Sequence, residues 1–160
     1  MAVSEVDALA AVLKARSWML ASAESCTGGL IAAACTSLAG SSDWFERGFV
    51  TYSNAAKTEM LGVSAALMEQ HGAVSAEVAR AMADGALARS TARIAVAVTG
   101  IAGPTGGTPA KPVGTVWLAI ARHGAPTSAD LLQLRGDRAA VRQQTVEHAL
   151  RALNAALAAA

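Results

Sequence analysis

The run RIAVAVTG at residues 93–100 constrains this chain more than any other stretch. From Ile94 to Val98 it offers no polar residue, so a strand built from it has two apolar faces. Strands of that kind belong to parallel sheets covered by helices on both sides. The segments around it supply the covering layers. Ser4, with Asp7 three residues on, starts a helix reaching about Arg16, and Val6, Leu9, Ala10 and Leu13 share one of its faces. Residues 18–22 form a short strand, 29–38 a helix of small residues, and 46–53 a second strand. Asn54 caps a helix that Gly62 stops, Ser64 opens another ending at Gly72, and SAEV at 75–78 opens a helix to about Ser90. Beyond the glycine-rich stretch 100–107, VGTVWLAIARHG is a strand, with 130–134 as its hairpin mate. Asp137 caps a final helix. Alternating helices and apolar strands predict an α/β fold, a three-layer α/β/α sandwich, whose sheet the late hairpin makes mixed.

With 160 residues, 53% hydrophobic and 16% charged, the chain suits one globular domain over residues 1–160. A net charge of +1 without basic tracts argues against a general nucleic-acid binder, while leaving open a small anion held by one or two arginines. Cys26 and Cys35 form neither a metal spacing nor a disulfide framework, which predicts reduced thiols, a cytoplasmic setting and no metal. Charges at Glu5, Asp7, Lys14 and Arg16 interrupt the first segment, so it reads as neither a signal peptide nor a membrane span.

Ligands of α/β sheets gather at the carboxyl ends of strands. Three polar turns are expected there: ESCTGG at 24–29, TYSNAAK at 51–57 and VTGIAGPTGG at 98–107. The first places Ser25, Cys26 and Thr27 in a row before Gly28 and Gly29. Ser25 is a nucleophile or an N-cap, and Thr27 is open to the second role; Cys26 is a rival nucleophile or a packed thiol. Amides at the following helix start suit an oxyanion or a phosphate. The turn lacks the G-x-S-x-G frame of a nucleophile elbow and the G-K-[ST] of a P-loop.

His71, His123 and His148 have no orienting acid beside them, which makes them poor bases. Lys57 is a better candidate. With Asn54 as N-cap it occupies the third helical position, where the helix dipole disfavours an ammonium. Burial would add to that effect and favour the neutral amine of a general base; exposed, it is an ordinary surface lysine. Tyr52 either orients that lysine, relays a proton or caps the core. Thr99 and the arch from Gly100 through Gly103 to Gly107 bring backbone close to a ligand or form a plain long loop. Arg138 and Arg142, one turn apart at the start of the last helix, suit a phosphate or a solvated face. Trp44, Phe45 and Trp117 fit the core better than a stacking site.

The chain resembles the CinA C-terminal domain family. The resemblance is carried by AESCTGGL (23–30), GSSDWFERGFVTYSNAAKTEMLGV (40–63), HGAVS (71–75), VTGIAGPTGG (98–107), KPVGTVW (111–117) and GDRAAVR (136–142), all in order. It implies a three-layer α/β/α sandwich with a mixed, mostly parallel sheet. It also implies hydrolysis of the carboxamide of nicotinamide mononucleotide, without metal or cofactor, by a serine–lysine mechanism in pyridine nucleotide recycling. By that resemblance Ser25 is the nucleophile and Lys57 the base, with Tyr52 and Thr99 supporting them. Cys26, Thr27, Gly28, Gly29, Gly100 and Gly103 line the substrate, and Arg138, seconded by Arg142, takes the phosphate. Members commonly carry an acid where this chain has Thr105, so an acidic contact to the ribose is not expected here. The implied partners are the nucleotide and further copies of the chain, a dimer or larger, with no stable nucleic-acid or membrane partner. A non-catalytic nucleotide-binding module, linked to competence or DNA damage, is the alternative from a different functional class.

Overall fold

The structure, a computed structural model, describes residues 3–160, so the first two residues of the single-domain expectation lie outside it. In chain order the elements are α1 (Glu5–Arg16), β1 (Leu20–Glu24), α2 (Leu30–Thr36), a 3-10 turn (Ser41–Asp43), β2 (Phe45–Val50), α3 (Asn54–Leu61), α4 (Ala65–His71), α5 (Ala76–Ala88), β3 (Ile94–Gly100), β4 (Thr115–Arg122), β5 (Ser128–Gln133) and α6 (Arg138–Ala158). The strands form one sheet in the order β2-β1-β3-β4-β5. β1 runs parallel to β2 and to β3, while β3–β4 and β4–β5 are antiparallel. The sheet is mixed as expected, with its pairings divided evenly between the two kinds. Helices α1, α2 and α6 cover one face and α3, α4 and α5 the other, giving three layers.

The two faces of the sheet differ in size rather than polarity. Leu20, Ile94, Val96, Val98, Leu118 and Ile120 point toward α1, α2 and α6. Ala21, Ala23, Ala95, Ala97, Ala119 and Ala121 point the other way, toward α5. Alternate side chains of a strand face opposite sides, so the I-A-V-A-V run supplies a bulky face and a thin one at once. α5 meets the thin face with Val78, Ala79, Met82, Ala83 and Ala86, its own mostly small stripe. Beside this stripe the buried Gly85 lies against α3 so closely that a Cβ there would run into the Leu61 carbonyl.

Helix starts are set by local chemistry. Ser4, Ser53, Ser64, Ser75 and Asp137 each accept a backbone N–H of the first turn, a contact worth about 1 kcal/mol at each cap. The cap of α3 is therefore Ser53, not Asn54, and Lys57 moves from the third to the fourth helical position. β1 also lies two residues later than expected. It ends on Glu24, which belongs to the strand and not to the turn.

This topology places the site. From β1 the chain crosses through α2 to β2 on one side, then returns through α3, α4 and α5 to β3 on the other. The strand order reverses at β1, and open α/β sheets bind ligands in the crevice at such a switch point. The first residue after β1 is Ser25.

Candidate active site

Ser25 is held at the carboxyl end of the central strands by its own amide, which donates to the Val98 carbonyl of β3 at 3.1 Å. The Gly28 amide then donates back to the Ser25 carbonyl at 3.1 Å, closing a tight turn. Gly28 (φ 56°) and Gly29 (φ 108°) take left-handed conformations that L side chains adopt poorly. Their freedom lets α2 start directly behind the serine.

Lys57 reaches the same point from α3. Its Nζ lies 3.0 Å from Ser25 Oγ and donates to the carbonyls of Thr51 at 3.2 Å and Tyr52 at 3.4 Å. A neutral amine has two N–H groups and one lone pair. Once deprotonated, the amine would spend its two N–H groups on the carbonyls and leave its lone pair for the serine hydroxyl. Lys57 is 1% exposed, with no carboxylate within salt-bridge distance among the described residues. Burial of the ammonium therefore lowers its pKa below the ordinary lysine value.

The other expected residues separate into groups. A cavity of about 250 Å³ opens in front of Ser25, and Cys26, Tyr52, Gly100, Gly103, Thr105 and Arg138 are among its walls. Lys57 stands behind the serine, outside that lining. Arg138 spans the cavity, donating to the Gly103 carbonyl at 2.9 Å and to the Tyr52 hydroxyl at 3.1 Å. The Tyr52 ring is 61% exposed and turned to Arg138, so only the tyrosine's main-chain carbonyl orients the lysine. Thr99 is committed elsewhere. Its hydroxyl donates to the Ala73 carbonyl at 2.9 Å, tying the 71–75 segment to the end of β3. Arg142 grips the 25–29 turn through the carbonyls of Cys26 and Thr27, each at 3.1 Å.

Two expectations about the turn are narrowed by this geometry. The Thr27 hydroxyl donates to Glu24 at 2.5 Å, and the amides of Ile31 and Ala32 at the start of α2 donate to the same carboxylate. Those helix amides are occupied. With the Gly28 amide also engaged, the amides of Cys26, Thr27 and Gly29 are left without a protein acceptor among the described residues. Cys26 is a packed thiol. Burial, with the Glu24 charge as a lesser cause, pushes its pKa up to about 11. Trp44 is fully buried in the core. Among the described residues no group of three or more His, Cys, Asp and Glu is arranged to hold a metal, and no helix is long and apolar enough to cross a membrane.

Nothing in the sequence alone assigns a role to Glu24 or to the Thr51 carbonyl. The signal for Glu24 is an acidic residue closing an apolar strand, with a hydroxyl three residues later and a helix start beyond it. The Thr51 carbonyl leaves none, because a main-chain group carries no residue code.

Fold and site together define an α/β sandwich that carries a buried serine–lysine pair at the switch point of its sheet. The chain belongs to the CinA C-terminal domain family, which matches residues 4–157. It is 55% identical over 142 residues to nicotinamide-nucleotide amidohydrolase PncC of Enterobacter agglomerans, covering 89% of this chain and 87% of that protein. It is 54% identical over 152 residues to a putative competence-damage inducible protein of Symbiobacterium thermophilum, where it spans 90% of this chain but 36% of the longer relative. Among solved structures, the competence/damage inducible protein CihA of Agrobacterium tumefaciens superposes with a TM-score of 0.89 at 45% identity, covering 98% of this chain and 99% of that one.

Proposed function

We propose that the protein is a nicotinamide-nucleotide amidohydrolase that converts nicotinamide mononucleotide to nicotinic acid mononucleotide and ammonia through a Ser25–Lys57 dyad. The observation that carries this reading is the 3.0 Å contact between a buried Lys57 amine and the Ser25 hydroxyl. Relatives named for this reaction, matched over most of their length, support the choice of substrate.

Neutral Lys57 takes the Ser25 proton as Oγ attacks the carboxamide carbon. The resulting oxyanion turns to the unengaged amides of the 26–29 turn; one such donor is typically worth ~2.7–4 kcal/mol of barrier. The ammonium of Lys57 passes its proton to the amide nitrogen, the C–N bond breaks, and ammonia leaves an acyl-Ser25. Water then attacks the acyl carbon while Lys57 accepts its proton and returns it to Ser25, releasing the carboxylate. Two carbonyls aim the lysine throughout, the part an acid plays for a catalytic histidine.

The cavity, about 250 Å³, has room for part of a nucleotide beside the Arg138 that spans it. Two of the guanidinium's five N–H groups are used on Gly103 and Tyr52, which leaves the others for the phosphate. Discrimination against free nicotinamide rests on that contact. The test is ammonia release from nicotinamide mononucleotide by the purified protein. Ser25→Ala is expected to lower turnover by at least about a thousandfold while retaining nucleotide binding. Full turnover in that variant removes the serine from the reaction.

A further inference from the structure

We propose that Glu24 is a positioning residue that holds the nucleophile turn in register with Lys57, through contacts with Thr27 and with the first turn of α2. The inference rests on the serine–lysine reading above. Glu24 is 1% exposed, and no cation lies within salt-bridge distance of it among the described residues. A carboxylate in such a place is costly unless hydrogen bonds satisfy it. Three do: the Thr27 hydroxyl at 2.5 Å, the Ile31 amide at 2.8 Å and the Ala32 amide at 3.1 Å. The formal N-cap of α2, Gly29, has no side chain to do this work.

Capping alone does not call for this arrangement. The helices α1, α3, α4, α5 and α6 of this chain are capped by an adjacent Ser or Asp. At α2 the acceptor comes instead from a strand residue seven positions before Ile31. Its side chain thereby encloses the segment 25–30, so that the serine turn is fastened at both ends to one residue. The main chain of Glu24 fastens the opposing wall. Its carbonyl accepts the Thr51 amide at 2.8 Å, and the Thr51 carbonyl accepts from Lys57 Nζ at 3.2 Å. One residue thus stands one hydrogen bond from Thr27 on the nucleophile side and two from the amine on the base side. Arg142 closes the turn from the opposite flank by binding the Cys26 and Thr27 carbonyls.

The test compares Glu24→Gln and Thr27→Val with wild type, each normalised to folded protein by circular dichroism. Two readouts are used: the rate at which a fluorophosphonate labels Ser25, and kcat and KM for nicotinamide mononucleotide. Glu24→Gln puts an amide N–H where a carboxylate oxygen accepts. A displacement of about 1 Å in such a site costs on the order of a hundredfold in rate. Labelling and kcat are therefore expected to fall together by about ten- to a hundredfold, with KM within about threefold of wild type. Thr27→Val, which leaves both amide contacts, is expected to lower both rates by about three- to tenfold. A folded Glu24→Gln variant that melts earlier yet labels at the wild-type rate reduces Glu24 to a cap and overturns the proposal. If Glu24→Gln does not fold, Thr27→Val decides by the same criterion. Labelling of wild-type Ser25 without ammonia release defeats the amidase reading alone, because labelling of the variants still measures positioning.

Discussion

Ser25 Oγ and Lys57 Nζ lie 3.0 Å apart although 32 residues separate them in the chain. One comes from the end of β1 and the other from the first turns of α3, and only parallel pairing of β1 with β2 brings those places together. Ser25 faces the cavity, and Lys57, 1% exposed, lies behind it away from solvent. In the proposed mechanism the rate depends on how far burial keeps the amine neutral.

The activity should follow that neutral fraction. As pH rises through the lowered pKa of Lys57, kcat/KM is expected to rise and then level off, giving an acidic limb. Lys57→Met should lower the rate by about a hundredfold or more and remove the limb. A variant retaining the wild-type pH profile would show that another group titrates.

The same burial has a consequence for stability. The unfolded chain binds the Lys57 proton up to the ordinary lysine value, about 10.4, whereas the folded chain loses it at lower pH. Between those values the unfolded state holds more protons, so unfolding free energy rises with pH from this group. Lys57→Met lacks the term. Its urea midpoint should exceed that of wild type near neutral pH, and the difference should narrow as pH approaches 10. A constant difference across the range contradicts desolvation as the cause.

Arg138→Ala should raise KM for the mononucleotide by about ten- to a hundredfold, the equivalent of losing a charged hydrogen bond of roughly 1.5–3 kcal/mol. Arg138→Lys should recover only part, because a point charge cannot keep the Gly103 carbonyl and the Tyr52 hydroxyl while holding a phosphate. Steady-state kinetics with nicotinamide mononucleotide and with its dephosphorylated riboside measure this directly. Equal losses on both substrates place the phosphate elsewhere.

Cys26→Ala should retain turnover within about threefold, since a buried thiol with a pKa near 11 is protonated at working pH. For the same reason wild type should resist iodoacetamide at neutral pH. Rapid alkylation with parallel loss of activity would restore the thiol as nucleophile.

Gly85→Ala should destabilise the fold by about 1–3 kcal/mol, because the new methyl meets the Leu61 carbonyl rather than a flexible side chain. Urea denaturation reads this, and an unchanged midpoint would mean that α3 and α5 separate easily.

Much of this arrangement is legible before any coordinates. The two-faced character of 94–98 requires helices on both sides, and the caps at Ser4, Ser64, Ser75 and Asp137 mark their helix starts correctly. The strand before Ser25 is harder to place. Trp18 and Met19 draw a hydrophobicity reading two residues early, whereas β1 in fact runs on through Ala23 to Glu24. Glu24 is tolerated in a buried strand because amides from α2 satisfy it, and that partnership is tertiary. The choice between Ser53 and Asn54 as cap is similarly invisible, since both residue types cap well. Proximity of Ser25 to Lys57 followed from family resemblance. The tasks of Thr99, Tyr52 and Arg142 depend on where each side chain points, which spacing does not encode.

The alanine face of the sheet sets a distance as well as a surface. On the sheet side only alanine methyls face α5, and the segment leading into α5 is anchored to the strand end by Thr99 and to the loop after the glycine-rich arch by Lys111 Nζ on the His71 carbonyl. A single Ala→Val change at Ala95 or Ala97 would therefore act as a shim, lifting the helix and pulling through the Ala73–Thr99 contact on the end of β3, next to the cavity wall at Gly100 that neither residue touches.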